Sequence, residues 1–277
     1  MNHTDSLRHA FDIKKAVDAE LSIHDGFESH IFKIGSYNQE VSHVFRLPYD
    51  GDAMALLILS TPNMFDVAFR KWIVEKTMEY GSFEALAENC SSPIQEFLND
   101  RLQRCLDKIS PIENDIVVMH DYSMTPQRRP LILMQTCGHV AGAAFYYQPR
   151  RFSKGQQWPP TTELDSDRKF IGLSLHPIYG GHFAFRTVLI FPNVHIPEYK
   201  EPETLRILTN IDEIRVALEK FNYNYKDSGF RDFGTPKYRY SETQVEYFGR
   251  PVADRWEVLR PWVEGAREIE EIQKNNR

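Results

Sequence analysis

A single α+β domain is the fold class this sequence predicts. Three observations predict it: strand-length apolar runs alternate with stretches of helical period, no internal repeat occurs, and no low-complexity linker divides the 277 residues. Hydrophobic residues make up 42% and aromatics 13%, enough for a packed core and for the walls of a site that holds a flat ligand.

The elements follow in order. Ala10, Ile13, Val17 and Leu21 recur at helical spacing, with Gly26 beyond the end. Ile31–Ile34 and Val44–Leu47 have strand character, and Ala55–Leu59 is short and continuous enough for a buried strand. Ser60-Thr61-Pro62 supplies a cap and a first-turn proline for a helix with Phe65, Ala68, Phe69 and Trp72 on one face. Residues 83–106 read as helical and Ile116–Met119 as a strand. Pro130 can open a helix over Leu131–Ala141 that Gly142 closes, before a strand over Ala143–Gln148. The hydrophilic stretch Arg150–Arg168 is a long surface loop. Phe170–Leu175 and Phe183–Phe191 read as two strands of a hairpin joined through His176–Gly181, whose paired glycines allow positive φ. Asn210 and Ser241, each followed three residues on by Glu213 and Gln244, open the last two helices before a charged tail over residues 251–277.

Composition excludes several classes of function. A net charge of −6 argues against a general nucleic-acid binder. No apolar run approaches bilayer length and MNHTDSLRH is too polar for a signal peptide, so the expectation is a cytoplasmic protein without a membrane anchor. Cys90, Cys105 and Cys137 are too few and too scattered for a disulfide framework or a zinc knuckle. HExxH, GxSxG, Walker and GxGxxG patterns are missing, so the chemistry is expected to come from a cofactor and a small co-substrate.

Two groups of residues stand out. On the helix expected over Leu131–Ala141, Ile132, Gln135, Thr136 and His139 share one face. Such a polar stripe needs hydrogen-bond partners, which a bound ligand or the backbone carbonyls of neighbouring strands can equally supply. His139-Val140-Ala141-Gly142 matches the His-x-x-Gly of cobalt-ligating cobalamin sites, but Cys137 stands where those sites carry an orienting Asp. Direct cobalt ligation by His139 is therefore not expected. The second group is Arg186, Arg231 and Arg255, whose forked guanidinium groups suit an anionic small molecule. Salt bridges with Asp227, Asp232 or Asp254 are equally open for Arg231 and Arg255; Arg186, in mid-strand, fits the ligand reading better.

LSTPNMFD (59–66), RRPLILMQTCGHVAGAAFYYQ (128–148), HPIYGGHFAFR (176–186) and RYSETQVEYF (239–248) together resemble the cobalamin-processing CblC (MMACHC) family. The resemblance implies a fold like that of flavin nitroreductases, an antiparallel sheet flanked by helices around a large cofactor cavity, in one domain with a core over about residues 20–250. It implies reductive decyanation of cyanocobalamin, with electrons from reduced FMN or FAD or an NADP-linked partner reductase, and transfer of an upper alkyl ligand to glutathione. Corrin and flavin contacts are implied at Asp121, Ile132, Leu133, Met134, Gln135, Tyr146, Tyr147, Gln148, Ser174 and Phe185, with His139 lining the pocket. Ser174 stands where relatives can have Cys. Glutathione docking and thiolate stabilisation are implied for Arg186, Arg231 and Arg255, and no metal site is implied beyond the cobalt held by the corrin. Expected partners are a CblD-like trafficking protein and methionine synthase or its reductase, with the chain as monomer or homodimer; contacts through the Pro-rich C-terminal extension of some relatives are not expected. A non-catalytic cobalamin carrier and a flavin nitroreductase acting on small molecules are the competing readings.

Overall fold

A computed structural model describes residues 3–153 and 170–275. In chain order the elements are α1 (His3–Glu20), β1 (Phe27–Lys33), α2 (Ile34–Glu40), β2 (Ala53–Ser60), α3 (Arg70–Tyr80), α4 (Phe83–Asn89), α5 (Pro93–Ile109), β3 (Val117–His120), α6 (Met134–Val140), β4 (Phe145–Tyr147), α7 (Pro149–Phe152), β5 (Leu173–Leu175), β6 (Ala184–His195), α8 (Ile211–Tyr223), α9 (Glu242–Gly249) and α10 (Arg255–Asn275). An antiparallel sheet of order β1-β2-β6-β3 forms the centre, and β4 and β5 form a separate antiparallel pair.

Strand β2 organises the molecule. All eight of its residues are buried, as its unbroken apolar run requires if both faces of the sheet are covered. Met54, Leu56 and Ile58 enter one core with residues of α1, α5, α10 and the helix after β2; Ala55, Leu57 and Leu59 enter a second core with α2 and α6. A third cluster joins β4 and β5 to Leu208, Ile214 and Leu218 around α8. The helix after β2 starts with a π-helical turn over Met64–Phe69, and Phe65, Ala68, Phe69 and Trp72 are buried along it as expected.

Several sequence expectations are corrected. Val44–Leu47 is no strand: residues 43–45 form a 3-10 turn, and Val44 is exposed. The helical stretch 83–106 is two helices, broken before Pro93. The helix expected from Leu131 starts only at Met134, since Leu133 is still extended (φ −92°, ψ 92°); Leu131 N–H donates to the carbonyl of Ser123 and Leu133 N–H to the Tyr37 hydroxyl (3.0 Å), which anchor this stretch outside the helix. Gly142 does end this helix, at φ +74°. The hairpin over 170–191 is also absent, since β5 pairs with β4 and β6 pairs with β2 and β3. The link His176–Gly181 instead closes on itself, with His176 and Gly180 exchanging both backbone hydrogen bonds. Most of the surface loop expected over 150–168 lies outside the described residues; its start is the short helix α7. The charged tail is helical over Arg255–Asn275, and Val258, Leu259, Trp262 and Val263 on it are buried in the first core. The caps are as expected: Asn210 accepts from the amides of Asp212 and Glu213, and Ser241 from that of Gln244.

Candidate functional site

The site grows from β6. Its pairing with β2 runs Ile58↔Thr187 and then Leu59↔Phe185, so Arg186 is the extra residue of a β-bulge. A bulge re-aims a side chain, which explains how a charged residue is accommodated within an apolar strand. Arg186 Nε donates to Ser60 Oγ (2.8 Å), and burial lowers its pKa against the pull of Tyr240 and Asp121, without depriving an arginine of its charge. Asp121 follows β3 and donates its backbone N–H to the carbonyl of Arg186 (3.1 Å). Asp121, Arg186, His120, Tyr122 and Gln95 line one narrow cleft.

Arg231 reaches the same region from a different direction. Its Nη1 donates to the carbonyl of Gly181 (2.5 Å), while Gly181 N–H donates back to the carbonyl of Arg231 (2.8 Å). Gly180 lies at φ +55°, and a side chain on it would meet that carbonyl at 2.5 Å, so the close approach requires glycine. The guanidinium lies between Phe230 (4.7 Å) and Tyr240 (4.9 Å). Tyr240 thus neighbours both Arg231 and Arg186, and its hydroxyl pKa is raised by burial against those two cations. Arg255 lies over Tyr247 (5.2 Å) and Phe248 (5.8 Å), and the Phe248 ring is 6.3 Å from that of Tyr240. The three arginines therefore border one aromatic group. Among the described residues none of them forms a salt bridge: the Asp121 carboxylate acts on Arg186 only through its field, and the salt bridges with Asp227, Asp232 or Asp254 are not formed.

Helix α6 carries the second group. Ile132 and Met134 are buried in the second core, and Leu133 is anchored through its amide to Tyr37. Gln135 donates to the carbonyl of Gly172 (2.9 Å), so a backbone carbonyl next to β5 satisfies one of its polar groups. His139 is different: its Nε2 lies 3.5 Å from Arg151 Nη1, and its buried Nδ1 has no partner among the described residues. Burial and Arg151 lower its pKa against Glu40, which favours a neutral ring. The ring meets Phe145 edge-on (5.0 Å, 78°).

On the β4–β5 pair, Tyr146 is opposite Ser174, whose buried Oγ is also without a partner. Tyr147 turns to the other side, where its hydroxyl accepts from Leu208 N–H (2.7 Å), and Gln148 Oε1 accepts from Arg150 Nε (2.9 Å). Phe185 packs against Gly138 of α6. Unpaired buried groups cost about 1–3 kcal/mol each. That two of them, on His139 and Ser174, fall among the residues implied as cofactor contacts fits a site that a ligand completes.

Sequence reasoning missed three contributors. Ser60 was read as a cap and within a matching block, Tyr240 only as part of a matching block, and Glu28 not at all. Glu28 accepts from Tyr179 Oη (2.8 Å) and lies 3.3 Å from both His30 and His176 Nε2. Burial would raise its pKa, but hydrogen bonds from His176, His30 and Tyr179 outweigh this and hold the carboxyl well below the usual carboxylate range. Ile178 N–H donates to His176 Nδ1 (3.1 Å), so His176 carries its proton on Nε2, facing Glu28. A metal-bound imidazole needs the opposite arrangement, and the trio is a hydrogen-bonded clamp on the 176–181 link. The three cysteines are free and buried, and burial pushes the Cys105 thiol up to about 12.

Comparison with known proteins places the chain in a family. An "MMACHC-like protein" of Caenorhabditis elegans is 66% identical over 262 residues, which cover 94% of this chain and 96% of that protein. The human "Cyanocobalamin reductase / alkylcobalamin dealkylase" is 34% identical over 236 residues, covering 84% of this chain and 76% of the human one. The crystal structure of the C. elegans B12-trafficking protein CblC, described as a human MMACHC homologue, matches with a TM-score of 0.90 over 93% of this chain and 98% of that one. The model of the MMACHC family, methylmalonic aciduria and homocystinuria type C, matches residues 26–259. The chain, with its antiparallel sheet, bulged Arg186 and arginine-bordered aromatic group, belongs to the methylmalonic aciduria and homocystinuria type C family.

Proposed function

We propose that this protein strips the upper axial ligand from cobalamins, dealkylating alkylcobalamins with glutathione and decyanating cyanocobalamin reductively. The observation that carries the dealkylation is the set of three guanidinium groups without salt bridges, in a chain with more acidic than basic residues. Guanidinium groups without a salt bridge in such a chain suit an anionic co-substrate, and glutathione offers two carboxylates.

Arg186, Arg231 and Arg255 dock the tripeptide, and their field favours the thiolate over a thiol whose ordinary pKa is about 8.5. The sulfur lone pair forms the new S–C bond, the Co–C pair stays on cobalt, and the products are a thioether and cob(I)alamin. No side chain is covalently involved; positioning supplies the catalysis. Ile132, Met134, Gln135, Tyr146, Gln148, Ser174 and Phe185 form the corrin side of the site, with His139 in its lining rather than on cobalt. Asp121 lies at the junction of the two sides. For decyanation, bound FMN or FAD, or a reductase partner, supplies the electrons, and the large nitroreductase-like cavity belongs to this reading. A CblD-like protein and methionine synthase or its reductase are the partners that fit a role in cofactor delivery, and a cytoplasmic location fits glutathione as co-substrate.

The visible spectrum on addition of cobalamin tests the reading. A shift that reports displacement of the lower base, followed by slow loss of the cyanide ligand under reduced flavin, is expected. A bound spectrum that never changes identifies a carrier, and tight flavin binding without cobalamin affinity identifies a nitroreductase.

A further inference from the structure

His182 is buried between the two segments that present the arginines. Its Nε2 lies 3.1 Å from Asp232 Oδ1, directly after Arg231, and its Nδ1 accepts the backbone N–H of Tyr240 (3.2 Å). Its ring meets that of Tyr240 edge-on at 5.3 Å and 84°. Its own amide donates to the carbonyl of Tyr179 (2.8 Å), which fixes it to the 176–181 link. A neutral imidazole with the proton on Nε2 satisfies both side-chain contacts at once; the charged form has two N–H donors and cannot accept from Tyr240. Asp232, Arg231, Arg239 and Tyr240 are the ionisable groups around it. Burial, the largest effect, and the two arginines lower its pKa against the opposing pull of Asp232.

We propose that His182 is a positioning residue that holds the Tyr240 ring under Arg231, and so sets the arginine site for an anionic co-substrate. The inference rests on the reading of those arginines as glutathione-docking groups. Protonation breaks the Tyr240 contact, frees the ring and loosens the Arg231 guanidinium.

The full-length protein tests this in two independent ways. In glutathione-dependent demethylation, His182→Leu raises KM for glutathione about tenfold, on the scale of one hydrogen bond to a charged group, and leaves cobalamin affinity unchanged. Asp232→Asn, at an exposed carboxylate, moves KM in the same direction without affecting the core. His182→Gln, which keeps one donor and one acceptor, restores KM and makes its rise on acidification shallower than in the wild type, leaving only the part due to the glutathione thiol. Independently of turnover, the Tyr240 amide resonance moves on acidification in the wild type and stays fixed in His182→Gln. An unchanged KM in His182→Leu, or an acid limb in His182→Gln as steep as that of the wild type, overturns the positioning role. Wild-type protein inert toward glutathione overturns the docking reading instead; the Tyr240 resonance then still decides whether His182 holds Tyr240.

Discussion

Gly138 and Phe185 touch so closely that a methyl group on Gly138 would lie 2.4 Å from the tip of the Phe185 ring. This contact joins α6 to β6, and with them the corrin side of the proposed site to the strand that carries Arg186. Gly138→Ala forces the ring aside. The expected cost is about 1–3 kcal/mol in stability, read as a lower melting temperature, together with weaker cobalamin binding in a spectral titration.

Arg186→Ala removes a cation without touching α6 or the β4–β5 pair. Glutathione-dependent demethylation is expected to fall by about tenfold or more, while cobalamin affinity stays within about twofold. Equal losses in both measurements would place Arg186 on the corrin side.

Ser174→Ala separates stability from binding. The Ser174 hydroxyl is buried and unpaired, so its removal is expected to leave the ligand-free protein as stable as wild type or up to about 1 kcal/mol more stable. Cobalamin affinity is expected to fall in the same variant, and a thermal melt beside a titration checks both. Parallel losses of stability and affinity would show that Ser174 already has a partner.

Glu28 gives a pH dependence of defined sign. Its folded-state pKa lies below the ordinary value of 4.5, so the clamp stabilises fully above that value. The contribution is lost as pH falls below 4.5 toward the folded-state pKa. Wild-type protein should therefore lose melting temperature steeply as pH falls below 4.5, with no loss from Glu28 above it. Glu28→Gln should start lower at pH 7 and decline less steeply.

The central strand, the caps at Asn210 and Ser241 and the helix after β2 were legible because each depends on local pattern: unbroken apolar runs, cap residues and helical spacing. The errors have a common cause. The helix at Leu131 starts late because Leu133 is held extended, with its amide on the Tyr37 hydroxyl, a partner distant in sequence. The hairpin failed because β5 and β6 find partners in different sheets. For the site, the residue types were legible and the geometry was not. Arg186 stood out as a charge in an apolar strand, but the bulge that re-aims it depends on register with β2. Tyr240 and His182 become visible only when Arg231 and Arg186 are brought together, and Gln135, singled out for its polarity, has a backbone partner at Gly172.

The most direct test of the central claim is anaerobic incubation of the protein with methylcobalamin and glutathione, with the cobalt–carbon chromophore and thioether formation followed together. The account predicts loss of the methylcobalamin spectrum with release of S-methylglutathione in equal amount. A bound methylcobalamin spectrum that persists with glutathione in excess would contradict it.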